Sequence, residues 1–324
     1  MIVVTGANGF IGSALVWELN QAGRNDIVCV DTVPPLDRPE PLRNRSYSKF
    51  LLKDEIWAFL ATDEAKKNVE SILHMGACSA TTEMNVAFLN ENNVEYTRRL
   101  WNWCTENKKP YIYASSAAVY GDGIHGFDDT KAPDIYKPLN PYGESKAEFD
   151  RWAVKQTATP PLWVGLRFFN VYGPNEYHKD FMASVVFKAF NEITKTSRLK
   201  LFRSHKSEYK DGMQLRDFVY VKDITRWVLE LLTKSGIKSG IYNMGFGQAR
   251  TWLDLASATF KNMDKKPEID WVDIPESIRD RYQYVTEAKM DKLLSIGLSA
   301  PQWPIEKGVA DYVSNYLAKN TRGL

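Results

Sequence analysis

A doubly wound, parallel α/β sheet is the fold class predicted for this chain of 324 residues. Two observations predict it: short apolar, β-branched runs alternate with helical stretches, and the first run passes into the first helix through a turn spaced by glycines. Residues 1–5 (MIVVT) form the first run, followed by Gly6-Ala7-Asn8-Gly9-Phe10-Ile11-Gly12 and a helical pattern to about Gln21. Residues 26–31 (DIVCVD), 70–74 (ESILH), 111–115 (YIYAS) and 163–168 (WVGLRF) read as further strands, with helical stretches such as 92–106 and 142–155 between them. After about Gly173 the alternation loosens. The basic, polar segment 203–212 reads as an exposed loop, residues 218–221 as a returning strand, and Asp223 as a cap for the next helix. Turn-rich segments lie around Pro267, Pro275 and 301–304, and no internal repeat or low-complexity tract is present.

The expected organisation is a dinucleotide-binding domain over 1–172, with a returning segment at about 214–235. A smaller, mainly C-terminal α/β substrate-binding domain takes 173–213 and 236–324.

Composition removes several function classes. With 42 basic and 40 acidic residues, the net charge of +2 gives no global field for nucleic acid or a membrane surface. No apolar run approaches the ~20 residues that span a bilayer. The opening residues lack a basic n-region, and Cys29, Cys78 and Cys104 are few and far apart, as in reduced cytoplasmic proteins. The four histidines show no paired spacing, so no metal site is read.

The G-x-x-G-x-x-G run directly follows a strand and opens a helix, the context in which such a turn binds a dinucleotide. Gly6 permits the tight turn, Gly9 lets backbone amides approach a pyrophosphate, and Gly12 brings helix and strand together. The helix N-terminus then presents free N–H groups to the phosphates. Asp31, ending the second strand, suits the ribose hydroxyls of NAD, whereas Arg38 and Lys53 suit the 2′-phosphate of NADP. The residues alone leave that choice open.

Tyr142 and Lys146 share one helix face four positions apart. A lysine ammonium there favours the phenolate, which takes a proton from an alcohol. Ser115 and Ser116 end the fourth strand read from the sequence, where open sheets place ligands, and Ser116 is the better partner for Tyr142. Turn, serines and Y-x-x-x-K together resemble the short-chain dehydrogenase/reductases.

TGANGFIGS, SSAAVYG, NPYGESK, RFFNVYGP and RDFVYVKD are similar to the extended, nucleotide-sugar branch of that superfamily, which is Rossmann-type. MGACSATTE and NVYGPNEYHKDFMASV resemble the bacterial ADP-glyceromanno-heptose 6-epimerase family, with matching spacing up to about Phe202. That family inverts C6 of ADP-D-glycero-D-manno-heptose for the lipopolysaccharide inner core. The resemblance implies a tightly bound NADP lined by Phe10, Ile11, Asp31, Thr32, Arg38 and Lys53. Met75, Gly76, Ala77, Cys78 and Ser79 would pass beside the pyrophosphate and ribose, and Asn92, Lys146 and Val171 would lie toward the nicotinamide. It assigns Ser116 and Tyr142 as the catalytic pair and Lys179 as a second base that also touches the cofactor. Asn170, Phe181, Lys188, Phe202, Arg216 and Tyr282 fall at substrate positions, Arg216 being suited to the diphosphate by its bidentate fork.

Departures from the family pattern are Phe181 in place of a serine, Lys188 in place of a histidine, Met75 where an acid is common, and extra residues over 203–213. The resemblance further implies a cytoplasmic homo-oligomer, pentameric in relatives. Competing readings are a hexose 4-epimerase, a 4,6-dehydratase, a reductase and a cofactor-sensing protein. Ala117-Ala118 after Ser116 lacks the acids that dehydration needs, and a sensor would lack the Tyr/Lys pair.

Overall fold

The computed structural model describes residues 1–279, 282–321 and 323–324. Its strands, in chain order, are β1 (Ile2–Thr5), β2 (Ile27–Asp31), β3 (Lys49–Leu52), β4 (Ser71–His74), β5 (Tyr111–Ser116), β6 (Trp163–Phe168), β7 (Asn170–Tyr172), β8 (Leu199–Phe202), β9 (Leu215–Arg216), β10 (Phe218–Tyr220), β11 (Gly240–Met244), β12 (Arg250–Thr251) and β13 (Ile269–Val272). Seven of these form one sheet, in the order β3-β2-β1-β4-β5-β6-β11, with every pairing parallel.

Both faces of that sheet are buried, so its strands read as continuous apolar runs instead of alternating ones. Ile2, Val4, Ile27 and Cys29 face one core, together with Leu15, Val16 and Leu19 of helix Phe10–Gln21 and Trp227 and Leu231 of helix Val221–Thr233. Val3, Val28, Val30 and Ile72 face the other, against Leu100, Trp101 and Phe149.

The chain winds outward from β1 to β3, then returns to lay β4 beside the opposite edge of β1 and winds the other way. The winding reverses between β1 and β4, and open α/β sheets bind ligands at the crevice beyond such strand ends.

A second region rests on that end of the sheet. Helices Val185–Thr196, Trp252–Lys261 and Ile305–Asp311 enclose two smaller cores and carry the parallel pair β8–β13.

Four features differ from the sequence reading. Strands β3 and β11, the two sheet edges, were not anticipated. Residues 218–220 do form a strand, with Val221 already opening the next helix, but β10 pairs with β7 outside the main sheet, and it is β11, beyond residue 235, that returns to it. Asp223 is not the cap of helix Val221–Thr233; Tyr220 holds that position. Buried at the third helical residue, Asp223 instead accepts the backbone N–H groups of Gln302 and Trp303 and pairs with Arg226. The helix read over 92–106 begins as a π-helical turn, Asn90–Glu95, before the α-helix Tyr96–Glu106. Such turns widen a helix by one residue and cluster at functional sites. Cys29, Cys78 and Cys104 are free thiols. Among the described residues no helix is long and apolar enough to cross a membrane.

Candidate active site

A cavity of about 870 Å³ opens over the reversal point of the sheet. Its floor is the meeting of two backbone turns. Gly6, with φ of +64°, approaches so closely that a Cβ built on it would lie 2.7 Å from the Gly76 nitrogen. Helix Phe10–Gln21 starts directly above, with Gly9 at its cap and no side chain satisfying its first N–H groups. Those groups and the dipole end form an anion cradle.

The floor is fixed by a buried polar chain around His74. The Gly76 N–H donates to Thr5 Oγ1 (3.1 Å), which lies 2.6 Å from His74 Nδ1. His74 Nε2 lies 3.0 Å from Thr97 Oγ1, whose hydroxyl donates to the Asn93 carbonyl. Because that hydroxyl is committed, the ring donates from Nε2 and accepts at Nδ1. Burial pushes His74 down to about 3, so the ring is neutral. Asn93, in the π-helical turn, grips Cys78 at both its N–H and its carbonyl and donates to Ser145 Oγ. The loop after β4 is thereby tied to the helix that carries Tyr142.

The cavity wall holds Gly6, Gly9, Phe10, Ile11, Gly12, Asp31, Thr32, Arg38, Lys53, residues 75–79, Asn92, Ser116, Tyr142, Lys146, Val171 and Lys179, together with Asn170, Phe181 and Lys188. Asp31 is internally committed, accepting the backbone N–H groups of Asn8, Thr32 and Val33. Arg38 folds back onto the Asn8 carbonyl, and the Asn8 amide holds the Val33 and Arg38 carbonyls. Lys53 donates to Asn92 Oδ1 and lies over the Tyr96 ring.

Tyr142 and Lys146 lie on helix Pro141–Ala153, which is capped by Asn140, its side chain accepting from the Gly143 N–H, and begins at Pro141. Burial pushes the Tyr142 phenol up, opposed by a hydrogen bond from Ser116. Lys146 is pushed down to about 8 by burial, with Asp150 and Cys78 acting the other way, and donates to the Ala114 carbonyl at 2.9 Å. Both serines line the cavity, but their hydroxyls are engaged differently: Ser115, buried, donates to Asp150, whereas Ser116, half-buried, accepts the Ala118 N–H.

Lys179 lines the cavity from the turn Tyr177–Met182, with its ammonium 5.6 Å from the centroid of the Phe10 ring. Burial pushes it down, opposed by Glu176. Glu176 is fixed by the Gly173 and Ser184 N–H groups and the Ser184 hydroxyl. His178 is pushed down to about 4 by burial and by Arg38 and Lys179.

Phe202, Arg216 and Tyr282 do not line this cavity. They form an adjoining cluster joined to it by Trp252, a wall residue whose Nε1 donates to the Tyr282 hydroxyl at 3.1 Å. Arg216 sits between the Trp252 and Tyr282 rings and is half-satisfied by the Leu215 and Gln283 carbonyls. Burial pushes its guanidinium down, and no carboxylate faces it among the described ion pairs. Sequence reasoning missed Thr5, His74, Asn93, Asp150, Glu176 and Trp252. Only Asp150, eight residues after Tyr142 on the same helix face, left a periodic signal.

The fit to a dinucleotide rests on the Gly6–Gly76 approach and the unsatisfied helix start, a cradle that any Cβ would fill. The comparisons agree. The model of the NAD dependent epimerase/dehydratase family matches residues 2–245. An ADP-L-glycero-D-manno-heptose-6-epimerase from Fusobacterium nucleatum is 48% identical, with 98% of each chain covered. One from Nitratidesulfovibrio vulgaris strain DP4 is 46% identical at the same coverage. The crystal structure of the Helicobacter pylori ADP-L-glycero-D-manno-heptose-6-epimerase superposes with a TM-score of 0.82 at 25% identity, covering 98% of this chain and 96% of that one.

Proposed function

Because the chain belongs to the NAD dependent epimerase/dehydratase family, and within it to the ADP-L-glycero-D-manno-heptose-6-epimerases, we propose that it interconverts the C6 epimers of ADP-glycero-manno-heptose by a two-base route. It is a nucleotide-sugar epimerase that uses a nicotinamide nucleotide. The observation that carries the two-base reading is that Tyr142, Ser116 and Lys179 line one cavity, Tyr142 from helix Pro141–Ala153 and Lys179 from the turn Tyr177–Met182.

When bound, the nicotinamide supplies the hydride acceptor and donor that C6 inversion needs. The protein's own groups handle the proton. Ser116 holds the sugar oxygen, and the Tyr142 phenolate, favoured by Ser116 beside it, takes the hydroxyl proton. Lys146, charged below about pH 8, keeps a positive field beside them. The transient ketone turns about C5–C6, so its oxygen points elsewhere when the centre is rebuilt. Lys179 then serves that oxygen, and the two bases exchange roles with direction. Burial lowers Lys179 from the ordinary lysine range, which eases its release of a proton, while the Glu176 carboxylate acts the other way.

For the cofactor we propose NADP. Asp31 already accepts three backbone N–H groups, while the Arg38 guanidinium stands in the same wall with only a carbonyl partner. Arg216, held between two aromatic rings without a carboxylate, suits the substrate diphosphate, with Phe202 and Tyr282 beside it. This puts substrate on the region beyond residue 173. Assembly as a homo-oligomer, a cytoplasmic place and service to lipopolysaccharide inner-core synthesis belong to the same proposal.

The test is incubation of the purified protein, without added cofactor, with ADP-D-glycero-D-manno-heptose, followed by NMR of the product. Appearance of the L-glycero epimer supports the assignment. No conversion, with turnover of UDP-glucose instead, overturns it.

A further inference from the structure

The buried face of helix Pro141–Ala153 does not end with Tyr142 and Lys146. One turn further on stands Asp150, fully buried. Its carboxylate accepts the Tyr113 hydroxyl (3.0 Å), the Ser115 hydroxyl (2.9 Å) and the Arg167 Nε–H (2.9 Å). Ser115, Arg167 and Asn243 are register partners on the adjacent strands β5, β6 and β11, so the polar row crosses the sheet at one level. Arg167 lies over the Tyr120 and Tyr136 rings, and the Tyr120 hydroxyl donates to Asn243. Nothing in this row lines the cavity except Ser115, whose neighbour in the chain is Ser116.

A buried ion pair adds little stability over an apolar pair of equal volume, whereas it fixes geometry and field strongly. We propose that Asp150 is a positioning residue for the reaction: anchored by Ser115 and Arg167, its carboxylate locks the strand end bearing Ser116 to the helix bearing Tyr142 and supplies the negative field behind the Lys146 ammonium.

Among the described residues Asp150 is the carboxylate that acts on Lys146. Glu95, Glu144 and Glu148, on this helix and the one packed against it, are held on the outer side by Arg98 and Arg151. The remaining titratable groups about Lys146 are Tyr142 on its own helix, Cys78 from the loop after β4, and His74, which is neutral.

The inference rests on the epimerase reading for its kinetic readout but not for its second one. In Asp150→Asn, the alkaline limb of kcat/KM moves down by roughly one pH unit, because Lys146 loses its opposing charge. At the plateau kcat falls while KM for the sugar nucleotide holds. Urea unfolding across pH, which needs no substrate, shows the rise in stability from the buried lysine starting about one unit lower as well. Should Asp150→Asn not fold with Arg167 left alone, Asp150→Asn/Arg167→Met removes both charges and is read the same way. A limb and a stability profile at wild-type pH in the folded variant overturn the proposal and leave Asp150 as packing only. Wild-type protein that fails to turn over the sugar nucleotide refutes the epimerase reading alone, and the urea profiles still decide this one.

Discussion

Replacing Gly12 by alanine adds a single methyl group to the first turn of helix Phe10–Gln21, and the structure fixes what that group meets. Its Cβ would lie 2.0 Å from the Gly6 carbonyl oxygen and 2.6 Å from the Gly6 carbonyl carbon. Carbon–oxygen contacts settle at about 3.3 Å, so turn and helix must part by roughly 1.3 Å. Neither side yields easily, because Gly6 is pressed against Gly76 and its carbonyl accepts the Gly9 N–H. Overpacking against side chains costs about 1–3 kcal/mol, and a clash of two backbones belongs at the upper end. Alanine returns about 1 kcal/mol as a better helix former. The net loss is about 2 kcal/mol, or roughly 3 °C in Tm for a chain of this size. Gly9→Ala is the graded control: its Cβ would meet the same oxygen at 3.1 Å, a displacement of a few tenths of an ångström. It is expected to lose less than about 1 kcal/mol. Differential scanning fluorimetry reads the stability, and chromatography of the heat-released nucleotide reads cofactor retention. Gly12→Ala should emerge with little nicotinamide bound. A variant with wild-type Tm and full nucleotide would refute the packing described for the turn.

Lys179→Met should lower epimerisation by about 10²-fold or more while bound nucleotide stays stoichiometric; full activity would remove the second base. The Lys146 value of about 8 sets an alkaline limb, with kcat/KM falling tenfold per pH unit above it, and a flat profile to pH 10 would contradict its charged role. The stability sign is the reverse. A lysine lowered from 10.5 favours folding most above 10.5, and that contribution is lost as pH falls through about 8. Unfolding free energy from this group therefore rises between those values, and Lys146→Met should flatten the rise. Arg38→Ala should raise the Kd for NADP about tenfold more than that for NAD, measured by fluorescence titration of apoprotein; equal losses would argue against a 2′-phosphate contact. Arg216→Met should raise KM for the sugar nucleotide by about 10-fold or more with cofactor retained, and an unchanged KM would separate Arg216 from the diphosphate.

The centre of the fold was legible because buried parallel strands leave uninterrupted apolar runs, as in IVVT and IVCVD. The edges were not. Lys49–Leu52 is short and half-exposed, and Gly240–Met244 is hidden after a polar turn, so neither has the length or contrast of a central strand. The 218–221 run was strand-like for a good reason, yet no local pattern says which sheet a strand will join. In the site, glycine spacing and Y-x-x-x-K marked the wall because their chemistry acts at short sequence range. Ser116 was preferred over Ser115 from the sequence, but the bond from Ser115 to Asp150, 35 residues on, left no mark there. His74, Asn93 and Glu176 act through partners up to 69 residues away, and such pairings leave no mark in a single sequence.

The contact between Gly6 and Gly76 also has a temporal side. The first strand leaves the ribosome early, but the cavity is half made of residues that follow β4, and later walls carry 116, 142 and 179. A nascent chain of a hundred residues holds the Gly6 and Gly76 turns of the floor but none of the walls at 116, 142 and 179. Non-local parallel pairing of this kind folds slowly. Nucleotide capture is therefore a late event in synthesis, and a chain stalled before its sixth strand presents an open, apolar sheet edge to chaperones instead of an incomplete enzyme to its cofactor.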